Sequence, residues 1–390
     1  MPPSTTRTPP MGWNSWNAHS CTVTESDVRD AAAALVDTGL RDVGYEYLVV
    51  DDCWMAPETD DDGRLVPDPE AFPGGMAALA ADVHAAGLRF GLYSSAGTET
   101  CQGYPASLGR ERLHAEQFAE WGVDYLKYDN CGDHRGRDAV ERYAAMGAAL
   151  RETDREIVYS VCDWGTNDPW SWGRNVGGHL WRTTDDSVAK WRTGADEFGL
   201  GIADILDRTA ALDIASFHGP YGWNDPDMLQ VGNGPDSGQS RHEAVVVDRP
   251  LTRAETRTHF AFWCLLAAPL VIGTDLTALD AVDREILANE RLIRIDQDPL
   301  GFQGTPDRRD ATEEIWSKRL ADGGGAVALL NRGHDVTEIQ TRVADVAVPT
   351  VADRYRVVDC WTGEEWETTG ELAASVVPRD TAVLRVTPVE

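Results

Sequence analysis

Val123-Asp124-Tyr125-Leu126-Lys127-Tyr128-Asp129-Asn130-Cys131 is an apolar run that turns polar at its C-terminal end. Side chains alternate faces along a strand, so Lys127 and Asp129 share one face while Leu126 and Tyr128 share the other. A Lys and an Asp on the inner face of a buried strand are costly unless they pair, bind a ligand or do chemistry. Two further strand ends have the same character: Trp181-Arg182-Thr183-Thr184-Asp185-Asp186 and Trp223-Asn224-Asp225-Pro226-Asp227-Met228. Together they describe a carboxylate-lined pocket with aromatic walls, which is what sugar cleavage requires.

Working outward, short apolar strands alternate with helical segments from about residue 10 to 300. The strand candidates are Met11–Trp16, Tyr47–Asp51, Arg89–Ser94, Tyr125–Asp129, Ile157–Val161, His179–Arg182, Tyr221–Asn224 and Leu270–Gly273. Thr24-Glu25-Ser26-Asp27 reads as a helix capping box; Val28, Ala32, Leu35 and Val36 line one face, and Gly39 ends that helix. Met76, Leu79, Ala80 and Val83 form the stripe of a second helix, closed by Gly87. Repeated βα units of this length predict an α/β fold, a (β/α)8 barrel over 1–300. An open doubly wound sheet would gather its polar residues at one switch point, whereas here almost every strand ends in polar or aromatic residues. Beyond residue 300 the pattern becomes short alternating segments: Glu314–Leu320, Ala326–Asn331, Tyr355–Cys360 and Thr381–Val386, with Asp322-Gly323-Gly324-Gly325 as a hairpin turn. Residues 301–390 are therefore expected to form a C-terminal antiparallel β-sandwich.

Composition excludes several classes. The 390 residues carry 65 acidic and 35 basic side chains, a net charge of −30, and Lys occurs only at 127, 190 and 318. That balance argues against a nucleic-acid partner, which needs basic patches. The acidity is spread along the chain, as at Asp60, Asp61 and Asp62, and predicts a hydrated surface that is destabilised at low ionic strength and soluble in concentrated salt. Such Lys scarcity resembles proteins of salt-loving organisms. No apolar run is long enough for a membrane span, and Met1–Arg7 lacks an apolar export core. A cytoplasmic location is expected, or a secreted one if a leader was removed. The seven Cys show no zinc-like spacing. Gly232-Asn233-Gly234-Pro235 reads as a plain turn.

In such a barrel the chemistry sits at the C-terminal strand ends. Those ends supply Trp13, Asp51, Asp52, Tyr93, Lys127, Asp129, Cys162, Trp164, Arg182, Asp186, Asp227 and Met228. One carboxylate can act as nucleophile and another as proton donor, acids such as Asp51 and Asp52 can accept from vicinal hydroxyls, and Trp faces can stack on a pyranose. Lys127 would hold Asp129 ionised, and a neighbour such as Asp185 would keep the proton donor protonated. Asp185 reads equally as support for the site or as plain surface, and Trp181 as a core aromatic.

Six ordered motifs, Met11–Trp16, Asp51-Asp52-Cys53-Trp54, Leu126–Cys131, Cys162-Asp163-Trp164-Gly165, Trp181–Asp186 and Trp223–Met228, resemble glycoside hydrolase family 27, the α-galactosidases and their relatives. The resemblance covers essentially the whole chain and implies the same two-domain fold. It assigns Asp129 as nucleophile and Asp186 as acid/base, the latter because it lies four residues after Arg182. Asp51, Asp52, Lys127 and Asp227 match residues that grip the galactose hydroxyls, and Trp13, Tyr93 and Met228 match pocket walls. Cys162 and Trp164 sit where tolerance at C2 is decided; bulky Trp164 favours a free 2-hydroxyl. Two Asp residues at 51–52, without a longer acid, favour galactose over arabinopyranose. Asp163, where many relatives have Glu, is expected to alter the surroundings of the 2-hydroxyl.

The resemblance also implies disulfides Cys21–Cys53 and Cys101–Cys131, with Cys101 beside the pocket; four reduced thiols are the alternative in a cytoplasm. Cys264 and Cys360 are expected as buried thiols. The implied activity is a retaining exo-hydrolysis of terminal α-linked galactose by a monomer or homodimer, with no metal or organic cofactor. The alternatives are β-L-arabinopyranosidase, α-N-acetylgalactosaminidase or exo-acting dextran hydrolase on the same scaffold, or a catalytically silent carbohydrate-binding protein.

Overall fold

The computed structural model describes residues 6–241 and 245–389. Its first eight strands are β1 Met11–Asn14, β2 Tyr47–Val50, β3 Arg89–Ser95, β4 Tyr125–Asp129, β5 Val158–Cys162, β6 Leu180–Arg182, β7 Trp223–Asp225 and β8 Leu270–Ile272. They pair in parallel in the order β7-β6-β5-β4-β3-β2-β1-β8. Leu229, just past β7, closes the ring by a parallel bridge to Ile272; its N–H donates to the Val271 carbonyl at 2.7 Å. This is a (β/α)8 barrel.

Strand alternation sorts the side chains into layers. Leu48, Val50, Leu92, Leu126, Tyr128, Val161 and Trp181 face outward and pack with helix residues such as Val28, Leu79, Phe118 and Phe260. On the inner face Tyr47, Val49, Tyr125, Val158, Leu180 and Trp223 plug the N-terminal half of the barrel. Further along these same inner faces come Asp51, Tyr93, Lys127, Asp129, Cys162, Arg182 and Asp225, so the polar residues emerge together at the C-terminal mouth. The capping box at Thr24 is formed, with Asp27 as its acid, and starts the helix Glu25–Asp37.

The C-terminal region forms two antiparallel sheets. The larger runs β14 (Glu365–Thr368), β13 (Tyr355–Asp359), β16 (Thr381–Pro388), β11 (Gly325–Asn331), β10 (Glu313–Arg319) and β9 (Thr305–Arg309), and the smaller pairs β12 (Thr337–Arg342) with β15 (Glu371–Val376). Ile315, Val327, Ile339, Val357, Leu372 and Leu384 fill the space between them. The opposite face of the larger sheet lies on the barrel helix Arg253–Leu266: Trp316, Ala328, Leu330 and Val383 join the barrel core, and Trp316 packs edge-on against Phe262. One continuous apolar core therefore spans both regions. Among the described residues no helix is long and apolar enough to cross a membrane.

Candidate active site

The site is built from β2 and β4. Lys127 Nζ donates to Asp51 Oδ2 at 2.7 Å, and Asn14 Nδ2, from the end of β1, donates to the same oxygen at 2.6 Å. Burial alone would lower the Lys127 pKa, but Asp51, Cys162 and Asp129 together hold it well above the usual lysine value. The ammonium also lies 5.4 Å from the Tyr93 ring centroid. Lys127 thus pairs directly with Asp51, two strands away, rather than with its strand neighbour Asp129.

Asp129 is buried, and its Oδ1 accepts from the Asn130 N–H at 2.9 Å. Burial pushes its carboxyl up to about 6; Lys127 opposes that rise and Asp186 adds to it. The carboxyl is therefore ionised near neutral pH with little reserve. Asp52 is pushed further, to about 7, by burial, although the N–H groups of Cys53 and Gln102 donate to it at 2.7 and 3.0 Å.

Asp186 lines the same cavity as Asp129, with its side chain 35% exposed. Arg182 Nη2 donates to Asp186 Oδ1 at 3.0 Å, and Arg182 Nη1 meets Asp227 Oδ1 at 2.9 Å. One buried guanidinium thereby aligns both acids. Asp227 has φ +86 and also accepts from the Ser187 N–H at 2.7 Å; burial raises its pKa. The acids that face the Asp186 charge are Asp129 and Asp227. Asp185, which the sequence leaves open between support for the site and plain surface, pairs with Arg208 at 2.6 Å on the half-exposed rim.

The loop after Asp129 is braced from three sides. Cys101 and Cys131 are joined, as are Cys21 and Cys53, with Cα–Cα separations of 5.0 and 5.1 Å. Cys101 Sγ lies 3.4 Å from Asp129 Oδ2 and accepts from the Tyr93 hydroxyl at 3.3 Å; a disulfide sulfur has no proton to give the carboxylate. Gly97 allows the closest approach, since a Cβ there would fall 2.0 Å from the Cys131 carbonyl oxygen. Asn130 is clamped between Arg142 Nη2 at 2.8 Å and Asp163 Oδ1 at 3.0 Å. Asp163 is wholly buried and also accepts twice from Asn167 at 2.8 Å, so it orients the loop after Asp129 instead of facing the cavity. Cys101, Asp129 and Cys131 bring their donor atoms close together, but with the two sulfurs bonded to each other they offer no thiolates to a metal.

A cavity of about 880 Å³ is lined by Asp51, Asp52, Tyr93, Cys101, Lys127, Asp129, Trp164, Asp186, Asp227 and Met228. Trp164 takes a left-handed backbone, φ +53, at the cavity wall. Three expected residues are not at the cavity surface. Trp13 is fully buried and donates to the Thr274 carbonyl at 2.8 Å. Its place in β1 points it outward beneath the helices, and Trp16, beyond the strand end, lines the cavity instead. Cys162 and Arg182 form the layer beneath, in contact through Arg182 Nη1 and Cys162 Sγ at 3.6 Å. Asn14 and Asp225 join the site without having been expected from the sequence, although each occupies an inward register position; burial pushes the Asp225 carboxyl to about 6. Cys162, Cys264 and Cys360 are buried free thiols.

An outer wall formed by residues 193–208 is a further addition. Its helix Ile202–Ala211 carries Asp207, which meets Arg192 Nη2 at 2.7 Å, Arg309 Nη2 at 2.5 Å and Arg332 Nη1 at 3.0 Å. Arg309 and Arg332 belong to the β-sandwich, so that domain grips the rim of the cavity.

The chain matches the family Alpha galactosidase A over residues 8–298 and the Alpha galactosidase C-terminal beta sandwich domain over 310–386. It is 40% identical over 384 residues to an alpha-galactosidase of Oryza sativa subsp. japonica, covering 98% of this chain and 85% of that protein. The structure of alpha-galactosidase I from Mortierella vinacea superposes with a TM-score of 0.91 at 32% identity, covering 99% and 98% of the two chains. The alpha-galactosidase of Saccharomyces cerevisiae solved with raffinose gives 0.88 at 30% identity over 100% of both.

Proposed function

The chain belongs to the α-galactosidases of glycoside hydrolase family 27, and on that premise we propose that Asp129 and Asp186 cleave terminal α-linked D-galactose by a retaining double displacement. The enzyme is an α-galactosidase. Asp129 attacks the anomeric carbon as the glycosidic C–O bond breaks, and the Asp186 proton passes to the departing oxygen. Asp186, now a carboxylate, then takes a proton from water, whose oxygen displaces Asp129 and releases α-galactose. The observation that carries this assignment is the pair of acids in one cavity, close enough for the charge of Asp186 to raise the pKa of Asp129. Arg182 fixes the donor's direction, and the Asn130 clamp fixes the nucleophile's.

Asp51, Asp52 and Lys127 line the inner end and present the acceptors and the ammonium suited to the 4- and 6-hydroxyls. Trp164 narrows the wall and favours a free 2-hydroxyl over an acetamido group. Oligosaccharides of the raffinose type are the proposed natural substrates, in keeping with the complex of the yeast relative. Rates on p-nitrophenyl α-galactopyranoside, β-L-arabinopyranoside and α-N-acetylgalactosaminide test the specificity. The galactoside should be fastest; faster turnover of either rival would overturn the sugar assignment, and binding without turnover would overturn the enzymatic roles.

A further inference from the structure

The proton donor marks the side on which the leaving group must depart. Beyond Asp186 the cavity continues along residues 185–208, so the leaving group meets that wall. Its carboxylates are unequal in what they can offer. Asp207 is consumed by three arginines, Asp204 by Arg192 and Thr193, and Glu197 by Lys190 at 2.7 Å and the Gly194 N–H at 3.1 Å. Asp185 and Arg208 differ. Among the described residues the side chains of Asp185 and Arg208 bond only to each other, through Arg208 Nη1 and Asp185 Oδ2, and are 52% and 49% exposed. The remaining Arg208 N–H groups and Asp185 Oδ1 have no partner among the described residues. Phe198, 43% exposed on the same wall, adds an aromatic surface.

We propose that the Asp185–Arg208 pair, with Phe198, forms a leaving-group subsite that selects a second sugar, and that Arg208 is its specificity-determining residue. The inference rests on the galactosidase reading above and extends it from the cleaved sugar to the aglycone. A polyhydroxylated ring suits this wall on three counts. Vicinal hydroxyls can accept from the guanidinium fork while donating to the carboxylate, an aromatic face can cover the apolar side of a pyranose, and charges with spare hydrogen-bonding capacity would be desolvated at a cost by an acyl chain. The subsite is also pre-organised. Arg208 follows Asp207 on the helix that the sandwich residues Arg309 and Arg332 hold in place, so little ordering remains for the ligand to drive.

The test compares raffinose with p-nitrophenyl α-galactopyranoside on wild type, Arg208→Ala and Phe198→Ser. Ala suits an exposed helix position, and equal thermal midpoints verify the fold. Arg208→Ala should lower kcat/KM on raffinose by about tenfold, as loss of a charge-assisted hydrogen bond implies, mostly through KM, and change the nitrophenyl rate less than about twofold. Phe198→Ser should likewise lower kcat/KM on raffinose; because a nitrophenyl ring can also stack on Phe198, the selectivity between the two substrates is read from Arg208→Ala. Equal losses on both substrates, or none on either, would overturn the proposal, as would a wild type that turns over only the nitrophenyl galactoside. A wild type inactive on both would instead refute the galactosidase reading beneath it.

Discussion

Replacing Asp129 by Asn should remove catalysis and make the protein more stable. Burial holds the Asp129 carboxyl at about 6 against a usual value of 3.8, so ionising it in the folded state is harder by about two pH units. At about 1.4 kcal/mol per unit this is roughly 3 kcal/mol of folding free energy. The folded pKa lies above the unfolded one, so the protonated acid's stability is fully present below about pH 4 and lost as pH rises through 6. The amide that replaces the carboxyl carries no such charge. Asp129→Asn and wild type should therefore have equal stability near pH 4 and diverge to about 3 kcal/mol by pH 8, roughly 4 °C in a chain of this length. Lys127 keeps Asp51 as its partner in the variant, so no new unpaired charge offsets the gain. Thermal midpoints from pH 4 to 8, with rates on p-nitrophenyl α-galactopyranoside, give both readouts. A variant less stable at pH 8, or a difference independent of pH, would refute the strained-carboxylate argument; near-normal turnover would refute the nucleophile.

The two disulfides close loops with sequence separations of 32 and 30, each worth about 3–4 kcal/mol by loop-closure entropy. Reduction should lower both melting temperature and activity, since Cys101–Cys131 braces the Asp129 loop, and alkylation of the unfolded, unreduced protein should label only Cys162, Cys264 and Cys360. Labelling of all seven would contradict the pairing. The excess of 65 acids over 35 bases predicts a melting temperature that rises from low salt to about 1 M, where screening extends only about 3 Å. A flat or falling response would remove salt adaptation from the account.

The parts of the fold that read cleanly in the sequence are those with one strong pattern. The capping box at Thr24 is formed where expected, and the β4 run Tyr125–Asp129 agrees to the residue. The strands that the sequence does not reveal lack such a pattern. Thr305–Arg309 and Glu365–Thr368 are polar edges of the larger sheet, and Thr337–Arg342 buries only Ile339, so neither hydrophobicity nor alternation marks them. In the site, alternation correctly groups Lys127 with Asp129 but says nothing of distance between strands, which is why the Lys127–Asp51 bond emerges only from the structure. The resemblance makes Trp13 a pocket wall, but its register opposite Leu48 turns it outward, and past the strand end at Asn14 it is Trp16 that reaches the cavity. The outer wall of residues 193–208 leaves no signal, because its acids look like the rest of an acidic surface until their partners are known.

The central claim is a double displacement through Asp129 on α-galactosides. Hydrolysis of p-nitrophenyl α-galactopyranoside, followed by NMR before mutarotation, tests it most directly. The account predicts α-galactose as the first-formed sugar. β-Galactose as first product would mean single displacement by water and would contradict the role given to Asp129.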